Sequence, residues 1–336
     1  MIVDSHLHHY QRGFFSSRWH DYVAESWGRR NPPGRDPAIV RPKIEAGMED
    51  PNGDRMVEHM DVAGVDVGVL LPLDWELGFR QPAGVPIREM HEIIAGVARR
   101  HAGRFVAFAG IDPQREDAIE LFEWAINELG MRGLKLYPPT GFYPYDRRVY
   151  PLYERCEAWG LPILSHTGGP GIALLPARYA NPVFLQDVQA DFPNLTLWIG
   201  HAGHRIYWQE AAAVAAVGIN TYLELSTWQT VATEEEEFYV RWLATVRDRV
   251  GAHRLLWGSD HIAGTRVRGK EKLVDWVAWF RGLPERAAKY GVTFSEEEVA
   301  LILGGNAARC LGIDSPTAEA HAPDAPPPTQ MEARPT

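Results

Sequence analysis

The chain has 336 residues, 45% of them hydrophobic and 23% charged, enough apolar material to bury a large core within one barrel-type domain. Its formal charge of −10 disfavours non-specific binding to nucleic acid or to an anionic membrane, since both reward a basic surface. Two cysteines, Cys156 and Cys310, suggest neither a disulfide framework nor a thiolate zinc site, no apolar run approaches the roughly 18 residues of a membrane helix, and no signal core follows Met1. The expectation is a cytoplasmic protein with a small-molecule substrate, with homo-oligomerisation left open.

The first element is the short apolar run 2–8, which carries the stretch "DSHLHH". Side chains alternate along a strand, so His6 and His8 share a face, as two nitrogen ligands of one metal ion would. Histidines also cluster on surfaces by accident, so the rest of the chain has to decide. Residues 10–52 form a connection rich in Arg, Gly, Pro and aromatics (Phe14, Phe15, Trp19, Trp27), far longer than the usual few residues between a strand and its helix. This predicts an insertion that covers an active site.

Seven further strand-like runs follow at 65–71, 105–111, 133–137, 161–165, 195–200, 219–225 and 254–258. Helix-like spacing separates them, at 86–101, 114–129, 149–159, 206–217 and 235–248. Eight strand-and-helix units in about 300 residues predict a (β/α)8 TIM barrel, whose strands read as nearly continuous apolar runs because both faces are buried. A doubly wound open sheet would show a glycine-rich phosphate loop after its first strand, where this chain has histidines. The acidic run Glu234 to Glu237 reads as a helix start favoured by the helix dipole. From Ser315 the chain has six prolines and almost no large apolar side chain, so 314–336 is predicted as a disordered tail beyond a domain at 1–313.

Polar residues recur where these runs end: His6 and His8 on the first, Lys135 in "GLKLYPP", His166 in "LPILSHTGG", His201 in "LWIGHAGH" and Asp260 in "LLWGSDH". In a TIM barrel that rim is where ligands and catalytic groups converge. A random scatter of 13 histidines would not place four of them there beside a lone Lys and Asp.

The stretches "DSHLHH", "RGLKLYP", "PILSHTG", "FPNLTLWIGHAG", "LLWGSD" and "ILGGNAARCLGI" resemble the amidohydrolase superfamily, in particular its amidohydrolase-related group, which includes aminocarboxymuconate semialdehyde decarboxylase with related carboxy-lyases, lactonases and hydrolases. The resemblance runs from Ile2 to about Ile313. It implies that His6, His8, His166 and Asp260 are metal ligands, and that His201 is a second-metal ligand or a catalytic base. Lys135 resembles the strand-4 lysine that is carbamylated and bridges two ions in members such as dihydroorotase, whereas the mononuclear decarboxylases lack it. An unmodified ammonium there could instead anchor a substrate carboxylate or be structural.

Such ligands suit one or two divalent ions, zinc first and manganese or iron next, and an open position would bring the pKa of a bound water down toward roughly 7. Asp260 could then bind through one oxygen and take the water's proton through the other, while His201 could protonate a substrate carbon or a leaving group. Asp260 and His201 are thus the expected catalytic residues. His9, His204 and His261 read as neighbours of ligands or as solvent-facing. Glu224 in "YLELSTW" should be ion-paired or near the metal, because an unpaired buried carboxylate is costly. Trp19, Trp75, Tyr137 and Trp228 could wall an apolar pocket, against the default of core packing. Hydrolysis of an amide, lactone or ester-like bond is expected first, because Lys135 favours it. Decarboxylation of an aromatic or unsaturated acid is the alternative, redox chemistry at an iron pair a third, and metal binding without turnover the outside case.

Overall fold

The computed structural model describes residues 1–30, 34–169, 171–263 and 269–313; the predicted tail at 314–336 lies outside them. The apolar runs become ten short parallel strands: β1 (Val3–His8), β2 (Val67–Leu70), β3 (Phe105–Ala107), β4 (Ala109–Gly110), β5 (Leu134–Leu136), β6 (Ile163–Ser165), β7 (Leu197–Ile199), β8 (Thr221–Glu224), β9 (Leu255–Leu256) and β10 (His261–Ile262). They pair in the orders β10-β1-β2-β3 and β4-β5-β6-β7-β8-β9.

The run 105–111 is split into β3 and β4, β10 lies just past the run 254–258 that holds β9, and joining each pair closes the ring. Between β3 and β4, Phe108 N–H donates back to Leu70 O at 3.0 Å while Ala109 N–H donates forward to Gly133 O at 2.8 Å, so the third run changes partner within two residues. Between β9 and β10, the chain turns outward through residues 257–260, and Ser5 N–H donates to Trp257 O at 3.1 Å, joining the first run to the last. The result is an eight-position TIM barrel, as the sequence predicts.

Alternation decides which side chains enter its interior. Val67, Val69, Val106, Phe108, Leu164, Trp198 and Leu256 form one cluster, whereas Leu7, Leu70, Leu134, Leu136, Ile163, Leu197 and Ile199 belong to a second, shared with the surrounding helices. Lys135 lies between two leucines of the second cluster, and His6 and His8 flank Leu7 of the same cluster. By the period of two, all three polar residues face the interior.

The helices observed at Ile87–Arg100, Ala118–Asn127, Tyr150–Trp159 and His204–Val217 match the expected positions within a few residues. The helix expected at 235–248 is observed at Glu236–Val250, preceded by a separate short helix at Gln229–Glu234, so of the acidic run only Glu236 and Glu237 occupy its first turn. Residues 10–52 are not merely a loop. They fold into the helices Ser17–Arg30 and Pro37–Met48, the latter opened by Asp36, whose side chain accepts from Ala38 N–H, with Pro37 at the first helical position. Among the described residues no helix is long and apolar enough to cross a membrane.

Candidate metal centre

His6 and His8 leave β1 with their Nε2 atoms 3.2 Å apart. Each ring spends its other nitrogen on a group that only accepts: His6 Nδ1 lies 2.8 Å from Glu224 Oε2, and His8 Nδ1 lies 2.7 Å from the carbonyl of Leu71. With Nδ1–H given to those acceptors, the two Nε2 atoms are turned toward one another. Asp260 Oδ1 joins them, 3.1 Å from His8 Nε2 and 3.6 Å from His6 Nε2. A ligating histidine commonly gives its second N–H to a carboxylate or carbonyl, as these do. The donor set fits a divalent ion bound by two imidazoles and a carboxylate.

A second histidine, carboxylate group, His6 with His201 and Glu224, lies in the same interior. Glu224 is fully buried and its oxygens already take His6 Nδ1–H, His201 N–H at 3.0 Å, and both the N–H and the hydroxyl of Ser226 at 2.7 and 2.9 Å. With four donors on it, Glu224 has its carboxylate acceptor sites taken up by neighbouring groups. Glu224, expected from the sequence to be ion-paired or near the metal, is hydrogen-bonded to His6 Nδ1.

His201 stacks on His6, with ring centroids 4.8 Å apart, and its Nε2 lies 3.0 Å from His166 Nδ1. Burial pushes His201 down to about 3 and His166 well below the usual imidazole range, so both rings are neutral. His166 belongs to neither donor group among the described residues; it sits one ring farther out, under Tyr137, whose ring stacks on it at 4.2 Å. Lys135 Nζ lies 3.4 Å from His6 Nε2. Burial brings its ammonium down to about 7, against the pull of Glu224 and Asp260.

Two site residues adopt left-handed backbone, His201 at φ 60° and Asp260 at φ 53°, a conformation that costs a non-glycine residue on the order of 1–3 kcal/mol. Neighbouring donors hold both turns: Trp228 Nε1–H on His201 O and Trp276 Nε1–H on Gly258 O, each at 2.9 Å. A further brace is Asp4, which accepts from His6 N–H at 3.0 Å and from Ser259 N–H at 2.9 Å, so one carboxylate ties the histidine strand to the Asp260 turn. Burial raises Asp4 to about 7. Asp4 and Ser226 have no mark in the sequence beyond lying two residues from His6 and from Glu224.

The centre opens into a cavity of about 550 Å³ floored by His8, Lys135, His166, His201 and Asp260. Trp19, Trp75 and Tyr137 wall it as expected, joined by Tyr10 and Trp27. Trp228 does not reach it. It lies in the core, stacked on Trp242 at 3.8 Å, because its indole is drawn inward to the His201 carbonyl. His204 does line the cavity, whereas His9 is buried against Phe14 and His261 pairs through Nε2 with His59 Nδ1 at 2.8 Å. The helix Ser17–Arg30 supplies Trp19, Trp27 and Arg30 to the wall, and its Tyr22 hydroxyl accepts from Ala173 N–H at 3.1 Å on the segment after β6.

A parallel barrel with imidazole and carboxylate donors gathered at the C-terminal ends of its strands is the architecture of a TIM-barrel enzyme of the amidohydrolase type. The chain belongs to the amidohydrolase family, whose model matches residues 3–313. No curated protein matches its sequence. Among solved structures it is similar to an uncharacterised TIM-barrel protein from Bordetella bronchiseptica, at 24% identity and a TM-score of 0.64 over 93% of this chain and 98% of that one. It is also similar to 5-carboxyvanillate decarboxylase from Sphingomonas paucimobilis, at 18% identity and a TM-score of 0.62 over 93% and 99%. A dihydroxybenzoic acid decarboxylase from a Polaromonas species, solved with manganese and the inhibitor 2-nitroresorcinol, is 18% identical with a TM-score of 0.59 over 93% and 96%.

Proposed function

We propose that the protein is a mononuclear, metal-dependent carboxy-lyase acting on a flat aromatic or unsaturated carboxylic acid. The observation that carries this reading is the donor set of His6 Nε2, His8 Nε2 and Asp260 Oδ1 beneath an aromatic-walled cavity. His6, His8 and Asp260 are the ligands, with His166 and His201 close enough in the same floor to complete the shell on small movements. Zinc or manganese fits this mixed nitrogen and oxygen set. Bound there, the ion would supply Lewis-acid polarisation and a fixed anchor for a substrate oxygen.

The chain's own residues do the rest. Trp19, Trp75 and Tyr137 hold the ring flat, and Lys135 and Arg30 are the cations that line the cavity for an anionic substrate. Asp260, at the cavity floor, takes up a proton from solvent water on the oxygen it turns away from the other ligands and gives it to the ring carbon as the bond from that carbon to the carboxylate breaks and carbon dioxide leaves. The helices of 10–52 exclude water from the carbanion-like transition state. Structural likeness to two decarboxylases supports the reading.

Hydrolysis is the second reading, and Lys135 favours it. A buried lysine brought down to about 7 is substantially neutral amine at pH 7, the form that reacts with carbon dioxide to give a bridging carbamate. One experiment separates the two. The protein loaded with zinc or with manganese is offered aromatic and unsaturated carboxylic acids, and in parallel lactones and amides. Metal-dependent release of carbon dioxide is the expected result, and turnover confined to the lactones or amides would overturn it.

A further inference from the structure

The site contains a hydrogen-bond chain whose direction is set at one end. Glu224 accepts throughout, and Gly258 makes room for it, since a Cβ there would come 2.2 Å from Oε1. The Ser226 hydroxyl lies 2.9 Å from Glu224 Oε2 and 2.7 Å from His201 Nδ1. A hydroxyl has one proton to give. Given to the carboxylate, it leaves the serine oxygen only able to accept, so His201 Nδ1 is the donor and His201 Nε2 is bare. That bare nitrogen accepts from His166 Nδ1 at 3.0 Å, which leaves His166 Nε2 as a lone pair. His166 Nε2 is indeed buried without a hydrogen-bond partner, on a ring that lines the cavity.

We infer that Ser226 is a positioning residue that selects the tautomers of His201 and His166, and so presents the His166 Nε2 lone pair at the cavity floor. Glu224 sets His6 directly and His201 through the serine, so one carboxylate imposes the same polarity on imidazoles from two strands. The inference takes its purpose from the metal centre proposed above, but its hydrogen-bond logic needs neither metal nor substrate.

The test is long-range 1H–15N correlation on the histidine-labelled, chelator-treated protein, with His166 and His201 assigned through His166→Gln and His201→Gln. Both rings of the wild type should be neutral with the proton on Nδ1, the minor tautomer of free histidine. In Ser226→Ala both should relax toward the Nε2–H form, while Ser226→Thr, which keeps the hydroxyl, should retain the wild-type pattern. In the metal-loaded enzyme, metal affinity of the alanine variant should fall by about 10- to 100-fold, the range for outer partners of ligating histidines. A wild-type His201 protonated on Nε2, or an alanine variant with unchanged tautomers, overturns the inference. The wild-type spectrum decides even if the variant does not fold. Because the spectra are taken without substrate, a failed carboxy-lyase assignment and a failed tautomer assignment give different results.

Discussion

Replacing Lys135 by methionine should make the metal-free protein more stable at neutral and mildly acidic pH, even though the lysine belongs to the active-site floor. Its side chain is 2% exposed within the barrel, and burial brings the ammonium from 10.5 down to about 7. In the unfolded chain the lysine titrates at its ordinary value. Below pH 7 both states carry the charge, and the native state bears the whole desolvation cost. Between about pH 7 and 10.5 the unfolded chain binds a proton that the native state has released, so this residue's contribution to stability becomes less unfavourable as pH rises. At 1.36 kcal/mol per pKa unit the full cost is about 5 kcal/mol, a ceiling because a buried site relaxes around its charge. The pull of Glu224 and Asp260 is already contained in that shift, and relaxation of the site around the charge brings the net gain to about 2 to 4 kcal/mol. Urea unfolding of wild type and Lys135→Met at pH 6, 7, 8 and 9.5 measures it. The variant's advantage should be largest at pH 6 and shrink by pH 9.5. Asp4 and the histidines titrate in both proteins and largely cancel in the difference. No advantage at pH 6, or one that stays flat to pH 9.5, would falsify the reasoning.

His6→Ala or Asp260→Ala should each remove most bound metal and all turnover, measured by elemental analysis beside the activity assay; full metal retention in both would sink the ligand assignment. Glu224→Gln puts an amide where His6 Nδ1 needs an acceptor, and should weaken metal binding by about 10- to 100-fold as an outer-partner change does, read by competition with a chromophoric chelator. Unchanged affinity would mean that the His6 tautomer is set elsewhere. Tyr22→Phe deletes the acceptor for Ala173 N–H, a bond worth about 1 kcal/mol, so KM should rise by up to about fivefold while metal content stays constant. If the metal content fell as well, the helix Ser17–Arg30 would be supporting the centre rather than closing the cavity.

The parts of this site that can be read from the chain are those written in local periodicity. His6 and His8 alternate on a strand, and Lys135 alternates with Leu134 and Leu136, so a period of two places all three in the interior before any contact is known. The eight runs yield the barrel for the same reason. What the chain does not reveal is pairing across it. Asp4 meets Ser259 at a separation of 255 residues, and Glu224 meets His6 at 218, and a serine or a carboxylate two positions from a ligand looks like any other. The insertion hid its helices because its composition is rich in Gly, Pro and Arg, although Pro37 opens the second helix and Pro42 lies within it. Trp228 fails differently. Its place just past a strand end resembles that of Tyr137, yet one ring faces the cavity and the other the core. The difference is the left-handed turn at His201, which aims a carbonyl at the indole. That turn also sets the His201 ring between Ser226 and His166, so the same strained backbone that removed Trp228 from the pocket wall is what lets a serine on β8's far end govern a histidine on β6's.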